Sequence, residues 1–431
     1  MSTLERPYLR LHRAPSPLAT YLRPLERDYR HTAELISAGF EVGSGVVVDA
    51  CHPDRSADLR ASALEHLVEV VLDPRSLDLS TDGGVERSGV VDLPWSTGGV
   101  DHPGSFGPRR IDGYAGALAR SVVQLGATAV LAPTHYLEDA LSGWLDIDVA
   151  LTRRLRAKLD SEPAGRSVRI FYPLASNFAA LQAEPFRLRL DQQLQALAAD
   201  DIVDAVWLRM NNFGTNSAGP LTIPRYVSLA RRLHALGVPI IAERTGTVGI
   251  ALLALGSVTG IESGITHGER FNIRDLRVVD GAASGGYAPR VYLPSLGVFL
   301  KRDQAAELLN TRGMRGSFGC QSRCCPRGVP DMLTDPRRHF VVNRASEVNR
   351  LAAVPQGMRT EQYFATWLRF AADRATRAAL VLPGLEAHRR RLDMWRATLA
   401  AQVERDLVAP PTLSPPIGIG SHRGIDAMGS S

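Results

Sequence analysis

One pattern constrains this chain more than any other. Short, almost continuously apolar β-rich runs end in a polar residue, and amphipathic stretches follow them. The runs are 45–49, 68–73, 127–135, 168–173, 205–209, 238–243 and 258–262. Strands buried on both faces read this way, because neither side meets water, whereas half-exposed strands alternate. Helical periodicity marks 58–67, 114–125, 188–197 and 226–236, and Gly126 and Gly237 stand where a left-handed C-cap would end a helix before the next strand. Repeated strand–helix–strand units imply an α/β fold with a parallel sheet and right-handed crossovers.

A (β/α)8 barrel of the TIM type follows, since polar residues recur at the strand ends and no Gly-x-Gly-x-x-Gly turn follows an early strand, as an open doubly wound sheet would favour. Seven units are legible and eight are needed. The eighth strand is expected at 291–293, at 296–300 or in the run 35–40. A chain of 431 residues leaves room beyond a barrel of roughly 250. The predicted organisation is an N-terminal arm over 1–39, the barrel over 40–300, a Cys-rich zinc-binding appendage over 301–355, a helical hairpin over 356–407 and a disordered tail over 408–431. The Gly-, Asp-, Ser- and Pro-rich stretch 74–111 is expected to be a lid or substrate loop.

The net charge of +5 is carried almost wholly by arginine, Lys158 and Lys301 being the only lysines. Coding-sequence composition accounts for this, and so does binding of phosphates or nucleic acid, which the guanidinium fork suits. The charged start Met1–Arg6 lacks the apolar stretch of an export signal, and no window is apolar enough to span a membrane. A cytoplasmic protein with no membrane partner is expected.

Barrel active sites lie at the C-terminal strand ends, so the polar residues there are the candidates. Asp49, Asp73 and Glu262 are the candidate catalytic carboxylates, and His135, Arg209, Asn211, Glu243, Arg244 and His267 the candidate substrate-binding groups. The segments 243–247 and 260–270 stand out for ionisable groups set among glycines. A merely salt-bridged rim of Glu243, Arg244, Glu269 and Arg270 is the alternative.

The sharpest motif is Cys320-x3-Cys324-Cys325, with His339 following. Three thiolates and an imidazole are the tetrahedral set that Zn2+ prefers, and buried or redox cysteines are the competing reading. A barrel, then this cluster, then Asp335-Pro336-Arg337-Arg338-His339-Phe340 resembles the tRNA-guanine transglycosylase superfamily, including its DNA-modifying branch. The resemblance spans about residues 40–355 in organisation. It implies exchange of guanine for a 7-deazaguanine base in tRNA or DNA by glycosyl transfer, with Glu262 nearest the family's nucleophile position and Asp49 and Asp73 where base-reading carboxylates sit. Arg337, Arg338, Arg344, Arg350 and the run 388–396 would hold the nucleic acid. Two alternatives stand beside it: a barrel hydrolase or lyase for a small phosphorylated or carboxylated metabolite, and a barrel that binds without catalysis.

Overall fold

The computed structural model describes residues 18–139, 141–266, 269–277 and 289–408. Eight parallel strands form its centre: β1 (Ala19–Arg23), β2 (Gly45–Asp49), β3 (Glu69–Asp73), β4 (Ala129–Leu131), β5 (Arg169–Ser176), β6 (Ala205–Met210), β7 (Ile240–Glu243) and β8 (Gly260–Gly264). Each pairs with the next, and β8 pairs back to β1, with Ala19 opposite Gly260 and Arg23 opposite Gly264. The sheet therefore closes, and the fold is the (β/α)8 barrel that the strand rhythm predicts. Helices α1 (Tyr29–Ser37), α2 (Ala57–Glu65), α3 (Pro108–Gln124), α4 (Trp144–Asp160), α5 (Glu184–Ala199), α6 (Thr222–His234) and α7 (Thr247–Ala254) follow β1 to β7 in turn. Gly126 and Gly237 have φ of +64° and +85°, as their C-cap positions require.

The eighth strand corrects the sequence reading, which placed it in none of the right segments. It is β1, inside the stretch assigned to an arm. Thr20 interrupts its apolar run, and it is the only strand that precedes the legible rhythm. Tertiary contacts compensate: Tyr21 turns inward, and its hydroxyl donates to Glu69 Oε2 at 2.9 Å. The three segments proposed for this strand lie elsewhere. Residues 35–37 end α1, and the other two form an antiparallel hairpin, β9 (Val291–Leu293) and β10 (Val298–Leu300), in a sheet of its own. Residues 1–17 and the tail 409–431 lie outside the described residues.

The helix that should follow β8 arrives late. Helix α8 (Pro336–Ala352) packs on β1 and α7, the place an eighth helix takes. Hairpin and Cys-rich segment are thus inserted between β8 and its own helix. Helices α9 (Arg369–Ala379) and α10 (Glu386–Val408) then pack together, and Trp395 of α10 is fully buried, its indole N–H donating to Ala218 O. No helix among the described residues is long and apolar enough to cross a membrane.

Strand alternation stacks the barrel interior in layers. At the N-terminal end Glu69 accepts from Tyr21 and from Arg169 Nε at 2.8 Å. Above it Val47, Val71, Leu131, Phe171, Trp207 and Ile241 fill a dry middle. The next inward positions, at the C-terminal ends, are charged.

Candidate functional site

Six strands each aim one charged side chain into the barrel mouth: Arg23, Asp49, Asp73, Arg209, Glu243 and Glu262. Arg23 Nη1 lies 2.5 Å from Asp73 Oδ2 and 3.9 Å from Asp49 Oδ1, while its Nε lies 3.5 Å from Glu262 Oε1. Arg209 Nε donates to Glu243 Oε2 at 2.7 Å, and its guanidinium sits over the Phe271 ring. Two further arginines reach in from loops. Arg75 bridges Asp49 and Asp78, and Arg244 Nε approaches Glu243 at 3.8 Å. Arg75, Asn212 and Arg244 all take left-handed backbone, with φ of +57°, +57° and +50°. Each is a non-glycine residue just past a strand end. Such conformations cost on the order of 1 kcal/mol or more and persist where surrounding structure holds a residue in a needed place.

The network is incomplete. Among the described residues, neither carboxylate oxygen of Glu262 has a hydrogen-bond partner, nor do Nε and Nη2 of Arg23, and all are buried. Burial, reinforced by the neighbouring Glu243, pushes the Glu262 carboxyl up to about 7 against the pull of Arg23. Asp73 goes the other way: burial would raise it, but Arg23, Arg209 and Arg75 hold it well below the usual carboxylate range. One carboxylate is thus fixed as an anion while another is poised to exchange a proton near neutrality, a separation that acid–base sites use.

A roof covers the ring. The long β3–α3 connection, expected to be a lid, carries two short helices, Ser76–Leu79 and Asp82–Val85, and is anchored by Trp95, whose indole N–H donates to Pro74 O. It reaches the segment after β8, where Arg87 donates to Asp275 O at 2.6 Å and Gly83 lies so close to the Arg277 backbone that a Cβ would meet it at 2.4 Å. Leu77, Ala175, Phe271 and Ile273 form an apolar layer of their own there. Charges beneath such a layer interact more strongly than in water.

Of the predicted site residues, Asp49, Asp73, Arg209, Glu243, Arg244 and Glu262 therefore meet at the mouth. Asn211 lies just past β6 and holds the roof segment, accepting from Ile273 N at 3.1 Å. His135 has no described partner in the ring: its Nδ1 lies 2.5 Å from Asp148 Oδ1 and its ring stacks on Trp144, both of α4. His267 lies outside the described residues. Sequence reasoning missed Arg23 and Arg75. Arg23 ends a strand that the rhythm did not reveal, although Ala19–Arg23 followed by Pro24 repeats the strand-then-polar-end signal.

A second cluster lies in the insertion and on α8. Cys320, Cys324, Cys325 and His339 are buried with their ligand atoms within 4.8 Å of one another. Cys320 and Cys324 sulfurs are 3.7 Å apart, as are those of Cys324 and Cys325, and His339 Nδ1 lies 3.4 Å from Cys325 Sγ and 4.0 Å from Cys324 Sγ. A tetrahedral zinc with Zn–S near 2.3 Å and Zn–N near 2.0–2.1 Å would set its sulfurs about 3.8 Å apart and its nitrogen about 3.6 Å from each. The donor set fits. His339 Nε2 lies 2.9 Å from the Tyr292 carbonyl, which fixes the tautomer with an unprotonated Nδ1 toward the sulfurs, and Asn343 Nδ2 lies 3.2 Å from that Nδ1 and 3.5 Å from Cys324 Sγ. Adjacent cysteines can share one site because the chain turns there, with Cys325 N bonding Ser322 O and Gly328 at φ +74°.

Several of the arginines expected to form a nucleic-acid track have carboxylate neighbours within the fold. Arg337 pairs with Asp28, Arg338 with Asp335, Arg344 with Glu347, and Arg389 and Arg390 with Glu386.

No family model and no curated protein matches the chain. Solved structures do. An HpcH/HpaI aldolase from Desulfitobacterium hafniense DCB-2 is 12% identical over 57% of this chain and 86% of that one, with a TM-score of 0.32. A GH18 chitinase from Pseudoalteromonas aurantia is 14% identical over 58% and 93%, at 0.35. The carboxyl transferase domain of Rhizobium etli pyruvate carboxylase is 9% identical over 95% and 64%, at 0.38. Likeness this distant carries no argument about activity. It does correct the expected kinship, since these barrels are not guanine transglycosylases. Glu262, the expected glycosyl nucleophile, is fully buried beside Arg23. The base-exchange reading and its 7-deazaguanine substrate are withdrawn.

Proposed function

We propose that the chain is an enzyme acting on a small carboxylated or phosphorylated metabolite at the barrel mouth, by proton transfer of the kind a lyase or hydrolase uses. The observation that carries this reading is the unfinished polar ring: Arg23 and Glu262 are buried side by side with donors and acceptors that have no hydrogen-bond partner among the described residues. Buried polar groups are normally satisfied, so a polar ligand of matching charge is the natural complement. Arg23 and Arg209 hold its anionic group, with Arg75 and Arg244 at the more exposed edge. Asp73 stays ionised and holds Arg23 and Arg209 in place. Glu262 serves as the general base, and Glu243 keeps its proton affinity near that task. The roof excludes water once the substrate is bound.

The Cys320–Cys324–Cys325–His339 cluster is proposed to hold a structural zinc, because all four positions are taken by protein and none is open for substrate. The ion would tie the insertion to α8.

The test is turnover of small 2-oxo, hydroxy and phosphorylated acids followed by NMR. Glu262→Gln should lose turnover about a hundredfold or more while folding normally, and wild-type kcat should rise through about pH 7. Full activity in Glu262→Gln would remove the ring from the chemistry.

A further inference from the structure

Positive charge is unevenly spread along this chain. Residues 301–380 hold fourteen lysines and arginines against seven aspartates and glutamates, a net of +7, while the whole chain carries +5. The remainder therefore stands at −2, and the basic character belongs to the Cys-rich insertion and the helices that follow it. Within that stretch Arg327, Arg337, Arg338 and Arg344 form ion pairs. The other ten cations have no ion-pair partner among the described residues, which leaves a local excess even after the unpaired Asp303, Glu307, Glu361 and Asp373 are counted. Contacts gather part of this excess in one place. Arg377 Nη2 lies 3.5 Å from Gly313 O, so the C-terminal end of α9 rests against the loop that carries Arg312 and Arg315. Arg315 Nη2 in turn lies against Gly328 of the Cys-rich turn, 3.9 Å from where a Cβ would stand. One turn back on α9, Arg374 sits over the Phe370 ring, 5.8 Å from its centroid, and Phe370 is 46% exposed. Arg312, Arg315 and Arg377 are exposed and Arg374 is half-buried.

We infer that this surface binds a single-stranded nucleic acid, with Arg312, Arg315, Arg374 and Arg377 holding phosphates and Phe370 stacking on a base. Clustered guanidinium groups attract a polyanion of any kind, so charge by itself does not choose the partner. The exposed ring does. Phe370 presents an aromatic face that any base can cover, and Arg374 against it adds a cation–π contribution, the combination that single-strand binders use. A duplex keeps its base faces stacked on one another and has none to offer such a ring. Barrel closure does not account for the surface, since Arg312 and Arg315 belong to the insertion between β8 and its helix, and α9 follows that helix. The inference is one of binding alone. It involves no exchange of bases and stands independently of the chemistry at the mouth.

The experiment is fluorescence anisotropy of labelled single-stranded RNA and DNA, each of about twelve nucleotides, titrated with the full chain. Four phosphate contacts predict that affinity falls about fiftyfold between about 50 mM and about 200 mM salt. Arg312→Gln combined with Arg377→Gln should weaken binding and reduce that fall to about sevenfold, because two contacts remain. Phe370→Ala should weaken binding about tenfold at fixed salt and leave the salt dependence unchanged. Arg109→Gln combined with Arg120→Gln removes the same charge from two exposed arginines of α3 and should leave binding as it is. Thermal melts of each variant establish that it folds. Absence of binding at about 50 mM salt, or an equal loss in the α3 pair, overturns the surface. A duplex of the same sequence bound as tightly as the single strand, or binding indifferent to Phe370→Ala, overturns the single-stranded partner. Capture by phosphatidylserine vesicles with no affinity for either oligonucleotide would replace it with a membrane.

Discussion

Replacing Glu262 by glutamine is the most informative single change, because stability and activity should move in opposite directions. The carboxyl is fully buried, neither oxygen is hydrogen-bonded among the described residues, Arg23 Nε is 3.5 Å away, and Glu243 stands opposite in register. Its rise from 4.5 to about 7 means that the folded form holds a proton that the unfolded chain releases in that window. Stability from this group is fully present below about pH 4.5 and is lost as pH rises to about 7, by about 3 kcal/mol. Glutamine copies the shape of the protonated acid and has no charge to bury. Its stability should therefore lack this loss and exceed that of wild type at about pH 8 by up to about 3 kcal/mol. Urea unfolding followed by tryptophan fluorescence at about pH 5 and about pH 8 measures the difference. Equal pH slopes in the two proteins, or a variant less stable at the higher pH, would refute the reasoning. The ion pair with Arg23 would then outweigh the cost of burial.

Purified protein should contain about one zinc per chain by elemental mass spectrometry, Cys324→Ser should lose it, and chelation should lower the melting temperature, since the ion would tie the insertion to the helix that completes the barrel. A preparation without metal that melts like the loaded one would remove the zinc. Gly246→Ala should cost about 1–3 kcal/mol, because φ is +63° and the new Cβ would lie 2.2 Å from Thr215 Oγ1, and an unchanged denaturation midpoint would contradict that geometry.

The barrel was legible because strands buried on both faces write continuous apolar runs, and an active-site mouth requires polar residues at their ends. Five of the ring's six charges, and Arg244 beside them, could be named on that ground alone. The Cys and His ligand set was legible for a similarly local reason, since three of its four members lie within six residues. Other features depended on distant partners. Helix α7 is buried along its whole length, so it has no amphipathic stripe to read. Strand β1 is held by pairing with β2 and β8, and only that pairing brings Arg23 into the ring. The placement of α8 as the eighth helix, with Arg344 behind the mouth, depends on a chain that returns after an insertion of about seventy residues. Local sequence determined which segments become strands and which residues can ligate a metal, because periodicity and donor chemistry act over a few residues. Tertiary structure decided which charges face one another across the mouth, because register and closure bring together residues more than two hundred positions apart, Arg23 and Glu262 among them.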